Sequence, residues 1–215
     1  MWPRVSVFII VLSVISCPLA AQHHVESRFW SLDITPQLGY RTSMSFTSEP
    51  GPDGVSSRVV LDANPSYGIA FGVRYNDEDL IEFRWARQES QLRITGPVVI
   101  PRQRVTLDQF HFDFSHEYVV PEWPQWARPF VIGSVGVTRV SATATTAAFT
   151  RFSFGLGGGI KAFPTPRLGL KLQAQWLPLW VNPEVTAFCG AGCIIFLGGP
   201  LASQGEVTIG PVFRF

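Results

Sequence analysis

Segment after segment of this chain sets apolar and polar residues on alternate positions. That period of two predicts β-strands with one face in each of two environments. Trp30, Leu32, Ile34, Leu38 and Tyr40 alternate with Ser31, Asp33, Thr35, Gln37, Gly39 and Arg41. Tyr67, Ile69, Phe71, Val73 and Tyr75 alternate with Gly68, Ala70, Gly72 and Arg74, and Ile81, Phe83 and Trp85 with Glu82, Arg84 and Ala86. Phe110, Phe112, Phe114 and Tyr118 oppose His111, Asp113, Ser115 and Glu117. A fifth segment from Arg128 to Val140 carries apolar residues on both parities. Phe152, Phe154, Leu156 and Ile160 then oppose Arg151, Ser153, Gly155, Gly157, Gly159 and Lys161, and Leu168, Leu170, Leu172, Ala174, Trp176 and Trp180 oppose Gly169, Lys171, Gln173 and Gln175. Val207, Ile209, Phe213 and Phe215 against Glu206, Thr208, Gly210 and Arg214 complete eight predicted strands.

The two faces have an inverted character. One carries large aromatic and aliphatic groups, the other Gly, Ala, Ser and charges of both signs. A small soluble barrel packs bulky apolar groups inside; here the small and charged residues suit a narrow polar interior and the apolar ones a lipid-facing exterior. Aromatic residues gather near strand ends (Trp30, Tyr40, Tyr67, Tyr75, Trp176, Trp180), as in interfacial girdles. Connections alternate between short ones at 76–79, 121–126 and 164–167 and longer ones near 47–56, 95–104, 141–150 and 182–203. Short periplasmic turns, longer outer loops and an even strand count belong to outer-membrane barrels. The expected fold is all-β: an eight-stranded antiparallel up-and-down transmembrane barrel spanning 22–215.

With these residues in view, the chain resembles the small eight-stranded outer-membrane barrels, the OmpA-transmembrane and OmpX-like group, over nearly all of its length after the leader. The resemblance implies a location in the outer membrane of a Gram-negative-type cell, with outer-membrane lipid as surroundings. The ending through Val207, Ile209, Phe213 and Phe215 is similar to the terminal signature of that group. It implies that Phe215 and its alternate neighbours are read by the barrel-assembly machinery during insertion. The chain departs from the group in ending at the barrel, without the peptidoglycan-binding domain of full-length OmpA-type proteins. It departs also in placing Pro36, Pro65, Pro129, Pro178 and Pro211 inside predicted strands. Proline cannot donate to a ladder, and a closed barrel has no edge to receive it. Bulges, or strand portions beyond the membrane, are the expected accommodation.

The N-terminus reads as an export signal: a positive start at Met1–Arg4, an apolar run from Val5 to Ser16, and small residues that favour cleavage after Ala21. Val14–Cys17 also resembles a lipobox, with Cys17 as the lipidated residue. No later stretch has the roughly 20 apolar residues of a membrane-spanning helix. The net charge of +1 gives no electrostatic case for nucleic acid. Cys189 and Cys193, four apart in an exported chain, suggest a small loop disulfide. No histidine or second cysteine pair lies near them, so no metal and no cofactor is expected. The 182–203 segment around them is apolar and glycine-rich. It either meets an outside partner, lipid or the barrel mouth, or continues the last hairpin.

Asp33, Arg41, Arg74, Glu82, Arg84, Asp113, Glu117, Lys161, Lys171, Glu206 and Arg214 are expected to point into the lumen. An eight-stranded barrel is just wide enough for side chains to fill, so a core of mutually neutralised ion pairs is favoured over a conduit. His111, Asp113, Ser115, His116 and Glu117 form the only cluster with hydrolase-like residue types. In a strand Ser115 and His116 face opposite sides, so no local Ser–His pair forms without a bulge. His23 and His24 read as a flexible tail. The expected role is therefore structural or surface-interacting and non-enzymatic. The alternatives are a lipid A-modifying acyl hydrolase or transferase, and a soluble or lipoprotein lipocalin-like carrier.

Overall fold

The computed structural model describes residues 30–48, 58–95, 102–124, 126–142, 148–180, 186–189, 193–198 and 201–215. The predicted signal, Cys17, His23 and His24 lie outside them. Twelve strands run in chain order: β1 (Ser31–Arg41), β2 (Met44–Ser48), β3 (Arg58–Leu61), β4 (Asn64–Arg74), β5 (Asp79–Thr95), β6 (Gln103–Glu117), β7 (Ala127–Ala142), β8 (Ala148–Ala162), β9 (Leu168–Trp180), β10 (Thr186–Cys189), β11 (Cys193–Gly198) and β12 (Leu201–Arg214). Short breaks at 42–43 and 62–63 divide two long staves into β1/β2 and β3/β4; β9/β10 and β11/β12 make two more. The wall therefore has eight staves, all antiparallel, and it closes through β1 against β12.

Register fixes which parity looks inward, since a one-residue slip would exchange the faces. Asp33 pairs with Arg214 and Arg41 with Glu206, opposite charges facing each other, while Glu82 stands opposite Asp113 with both carboxylates turned inward. Phe83 pairs with Phe112 and Ile34 with Phe71 on the other face.

All five strand prolines stand on the outward parity. Their cost is visible where they meet. Pro36 of β1 and Pro211 of β12 fall opposite each other in a register that runs from Ile34↔Phe213 to Leu38↔Ile209 with three pairs missing between. Leu32 and Phe215 exchange both backbone bonds (3.2 and 2.9 Å), and Thr42 donates to Gly205 at 2.8 Å, so even-numbered residues of β1 bond β12. Pro36 and Pro211 thus occupy a hydrogen-bonding position where neither has an N–H to give. Gly210 lets the backbones close over this gap, because a side chain there would collide with the Pro36 carbonyl. A second gap lies where Phe154 and Gly155 of β8 would meet Pro178 and Leu177 of β9.

The 182–203 segment is in part strand. β10 pairs with β11, and β11 continues against β2 at Leu197↔Ser48. The last hairpin is therefore prolonged above β9 and β12, and Cys189 and Cys193 are register partners within it.

Candidate functional site

The interior is a stack of ion pairs. At the short-turn end, Glu117 accepts from Arg74 at 2.6 Å and Lys161 at 2.9 Å, while Asp33 takes a bidentate pair from Arg214 (2.8 and 2.9 Å). Above them Lys171 bonds Glu82 at 2.6 Å and Arg84 bonds Asp113 at 2.7 Å. Higher still, Glu206 is shared by Arg41 (2.7 Å), Ser66 (2.7 Å) and Arg84 (3.2 Å). All eleven residues expected in the lumen point into it, and each joins at least one of these pairs. Such charges are tolerable away from water because each meets its opposite.

Phe130 is an inward aromatic that alternation on β7 left undecided. The ammonium groups of Lys161 and Lys171 both lie over its ring, 5.3 and 5.5 Å from the centroid. Gly159 makes room for it; a Cβ there would press on the ring and on the Leu172 carbonyl.

The hydrolase-like residues are dispersed. Ser115 is buried and bonds the Leu80 carbonyl, whereas His116 faces outward and meets Asp79 at 2.7 Å. A Ser–His contact does exist, assembled from three strands: His111 Nε2 lies 2.7 Å from Ser153 Oγ, and Nδ1 lies 3.3 Å from both Ser134 Oγ and Arg84 Nη2. Arginine has no acceptor, so Arg84 donates to Nδ1. The proton of a neutral His111 then sits on Nε2 and points at Ser153. A general base must instead take the serine proton there. His111 is fully buried and Ser153 nearly so. This cluster stitches β6, β7 and β8 together and has the wrong proton placement to activate a nucleophile.

The outer face is equally ordered. Phe110, Phe112, Phe114, Phe152, Leu156, Leu170, Leu172, Trp176, Val207 and Ile209 are all exposed, an arrangement no water-facing wall sustains. On β5 and β6 this belt has sharp limits. At the short-turn end it stops at the Asp79–His116 pair. Towards the long loops it stops at a row in which Arg87 pairs Asp108 (2.7 and 3.0 Å) and Asp108 is the register partner of Arg139. From Asp79 to Arg87 the rise is about 20 Å along the axis, at ~3.3 Å per residue and ~40° tilt. On β9, outward apolar groups continue from Leu168 to Trp180, about 30 Å on the same arithmetic. An outer-membrane barrel carries an apolar band of about 25 Å.

Beyond the Arg87 row the faces exchange character. Met44, Val59, Leu61, Val105 and Leu107 are buried there, forming an apolar plug in the lumen beside the buried Gln88 and Ser90 of β5. The outward positions there are Glu89, Gln91, Arg93, Arg104 and Thr106. The 95–104 connection is correspondingly shorter than the sequence suggests, because β5 runs on to Thr95 and β6 begins at Gln103.

These features define a closed eight-stranded transmembrane β-barrel with a filled lumen. No family model matches the chain, and no curated protein matches it in sequence. Among solved structures it is similar to the outer membrane protein OprG from Pseudomonas aeruginosa (11% identity over 86% of this chain and 96% of that one, TM-score 0.58). It is also similar to Neisserial surface protein A (13%, 85% and 97%, TM-score 0.53). A third is the outer membrane protein AlkL, solved in DMPC lipid bilayers (12%, 91% and 96%, TM-score 0.50). At these identities the likeness is one of fold.

Proposed function

We propose that this chain is an outer-membrane barrel of a Gram-negative-type cell with a structural or surface-interaction role and no enzymatic one. The observation that carries this reading is the lumen. Among the described residues, ion pairs fill it at belt level and an apolar plug narrows it above, which supports a filled barrel over a conduit. The surfaces left to meet other molecules are the belt, the rim and the long loops, with the 182–203 segment as the contact for an outside partner. The Met1–Ala21 signal directs export. Phe215, Phe213, Ile209 and Val207 direct insertion by the assembly machinery, with short turns in the periplasm and long loops outside. A Cys189–Cys193 disulfide clamps the β10–β11 hairpin; register partners in an antiparallel pair stand about 4.5–5.5 Å apart at Cα, within a disulfide's reach.

The test is gel mobility of detergent-extracted protein with and without boiling, beside a chain lacking Phe215. A heat-modifiable band in the outer-membrane fraction, much reduced without Phe215, is expected. A soluble periplasmic protein of unchanged mobility would overturn the reading in favour of a lipocalin-like carrier. Planar-bilayer recordings should show no stable conductance, and Ser153→Ala and Ser115→Ala should leave the lipid A profile unchanged. A changed profile would revive the acyl hydrolase or transferase.

A further inference from the structure

The outward charges above the belt are unevenly matched. Arg87 is held by Asp108, which also receives the Trp85 indole N–H at 3.4 Å, and Arg93 is held by Asp62 at 2.7 Å. Arg104 and Arg139 are exposed and make no hydrogen bond or ion pair among the described residues. Both stand on the lipid-facing parity. Arg139 lies directly beyond Val137 on β7, and Arg104 two outward positions beyond Asp108 on β6. The inversion of the two faces fixes the level of this rim: below it the wall faces hydrocarbon, above it water. Two guanidinium groups without a partner among the described residues are thus held by strands at and above the level where the outer face turns from apolar to polar.

We propose that Arg104 and Arg139 form a docking rim for phosphorylated headgroups of the outer leaflet, gripping the lipid that surrounds the barrel. Charge complementarity selects this occupant. A guanidinium presents a planar fork of donors matched to phosphate oxygens, and the rim meets lipid before it can meet a soluble partner. The Trp85 indole at the same boundary is the amphipathic anchor usual at such depths. Glu89, diagonal to Arg104 across β5 and β6, and Asp108, the register partner of Arg139, oppose the attraction and tune it.

This inference rests on the membrane reading above, and the experiment separates the two. The refolded protein and an Arg104→Gln/Arg139→Gln variant are unfolded with denaturant in phosphatidylcholine vesicles with and without phosphatidic acid. Phosphatidic acid should favour the folded wild type by about fivefold for each arginine engaged. The gain should vanish in the variant and shrink with added salt, while Glu89→Gln should enlarge it. Equal stability in both vesicles, or an equal gain in wild type and variant, would overturn the rim while leaving the barrel intact. A gain reproduced by inorganic phosphate at matched ionic strength would assign the arginines to free phosphate and overturn the lipid partner. Failure of wild type and variant alike to enter vesicles would instead contradict the membrane reading.

Discussion

Strand β6 passes through two solvents. Between Phe110 and Phe114 its outward residues are phenylalanines, while His111, Asp113 and Ser115 face in. A few residues earlier the same outward parity carries Arg104, Thr106 and Asp108, and the inward one Val105 and Leu107. Within the belt this strand is inside out; above it the strand is built like one of a soluble protein, apolar within and charged without. The backbone does not change at the transition. What changes is the medium outside the wall, so the point of exchange marks the edge of the bilayer. The lesson concerns substitutions: the same replacement on the same face should differ in cost according to its level.

The largest effect belongs to the buried ion pairs. Glu206→Ala leaves Arg41 and Arg84 without their shared carboxylate and should destabilise the barrel by about 3–5 kcal/mol in urea unfolding followed by tryptophan fluorescence. Leu107→Ala, above the belt, should cost about 3 kcal/mol, as a soluble core does. A negligible loss would mean that the plug is not a packed core. Phe112→Arg should cost about 2–4 kcal/mol, whereas Thr106→Arg, on the same face beyond the rim, should cost about 0–1 kcal/mol. Equal costs at the two positions would break the comparison. A small effect of opposite sign belongs to the closing seam. Pro211→Val restores one N–H opposite the Pro36 carbonyl and should stabilise by about 0.5–1.5 kcal/mol, with slower amide exchange at Ile34 and Leu38.

Much of this was legible in the sequence. Period-two alternation identifies eight strands, and the contrast between Gly, Ser or charge on one parity and Phe or Leu on the other assigns the lumen residues. Three things were not legible. The His111–Ser134–Ser153 cluster joins three strands, and only the register β6–β7–β8 brings those positions together. The inward Phe130 was hidden because Val131, Ile132 and the glycines of β7 are apolar or small on both parities. The exchange of faces above the belt erases the contrast on which alternation depends. Gln103–Asp108 therefore reads as loop or irregular strand until its partners in β5 are known. The prolines illustrate the reverse case. Each looks like evidence against a strand, yet two of them share a single gap in one ladder.

The most direct test of the account is a nitroxide scan along β6, with single cysteines from 104 to 114 in a Cys189→Ser/Cys193→Ser background reconstituted in bilayers. The account predicts that labels at 110, 112 and 114 are relaxed by oxygen and shielded from a water-soluble nickel chelate, while those at 104 and 106 show the opposite. Nickel access at 112 equal to that at 104 would contradict it.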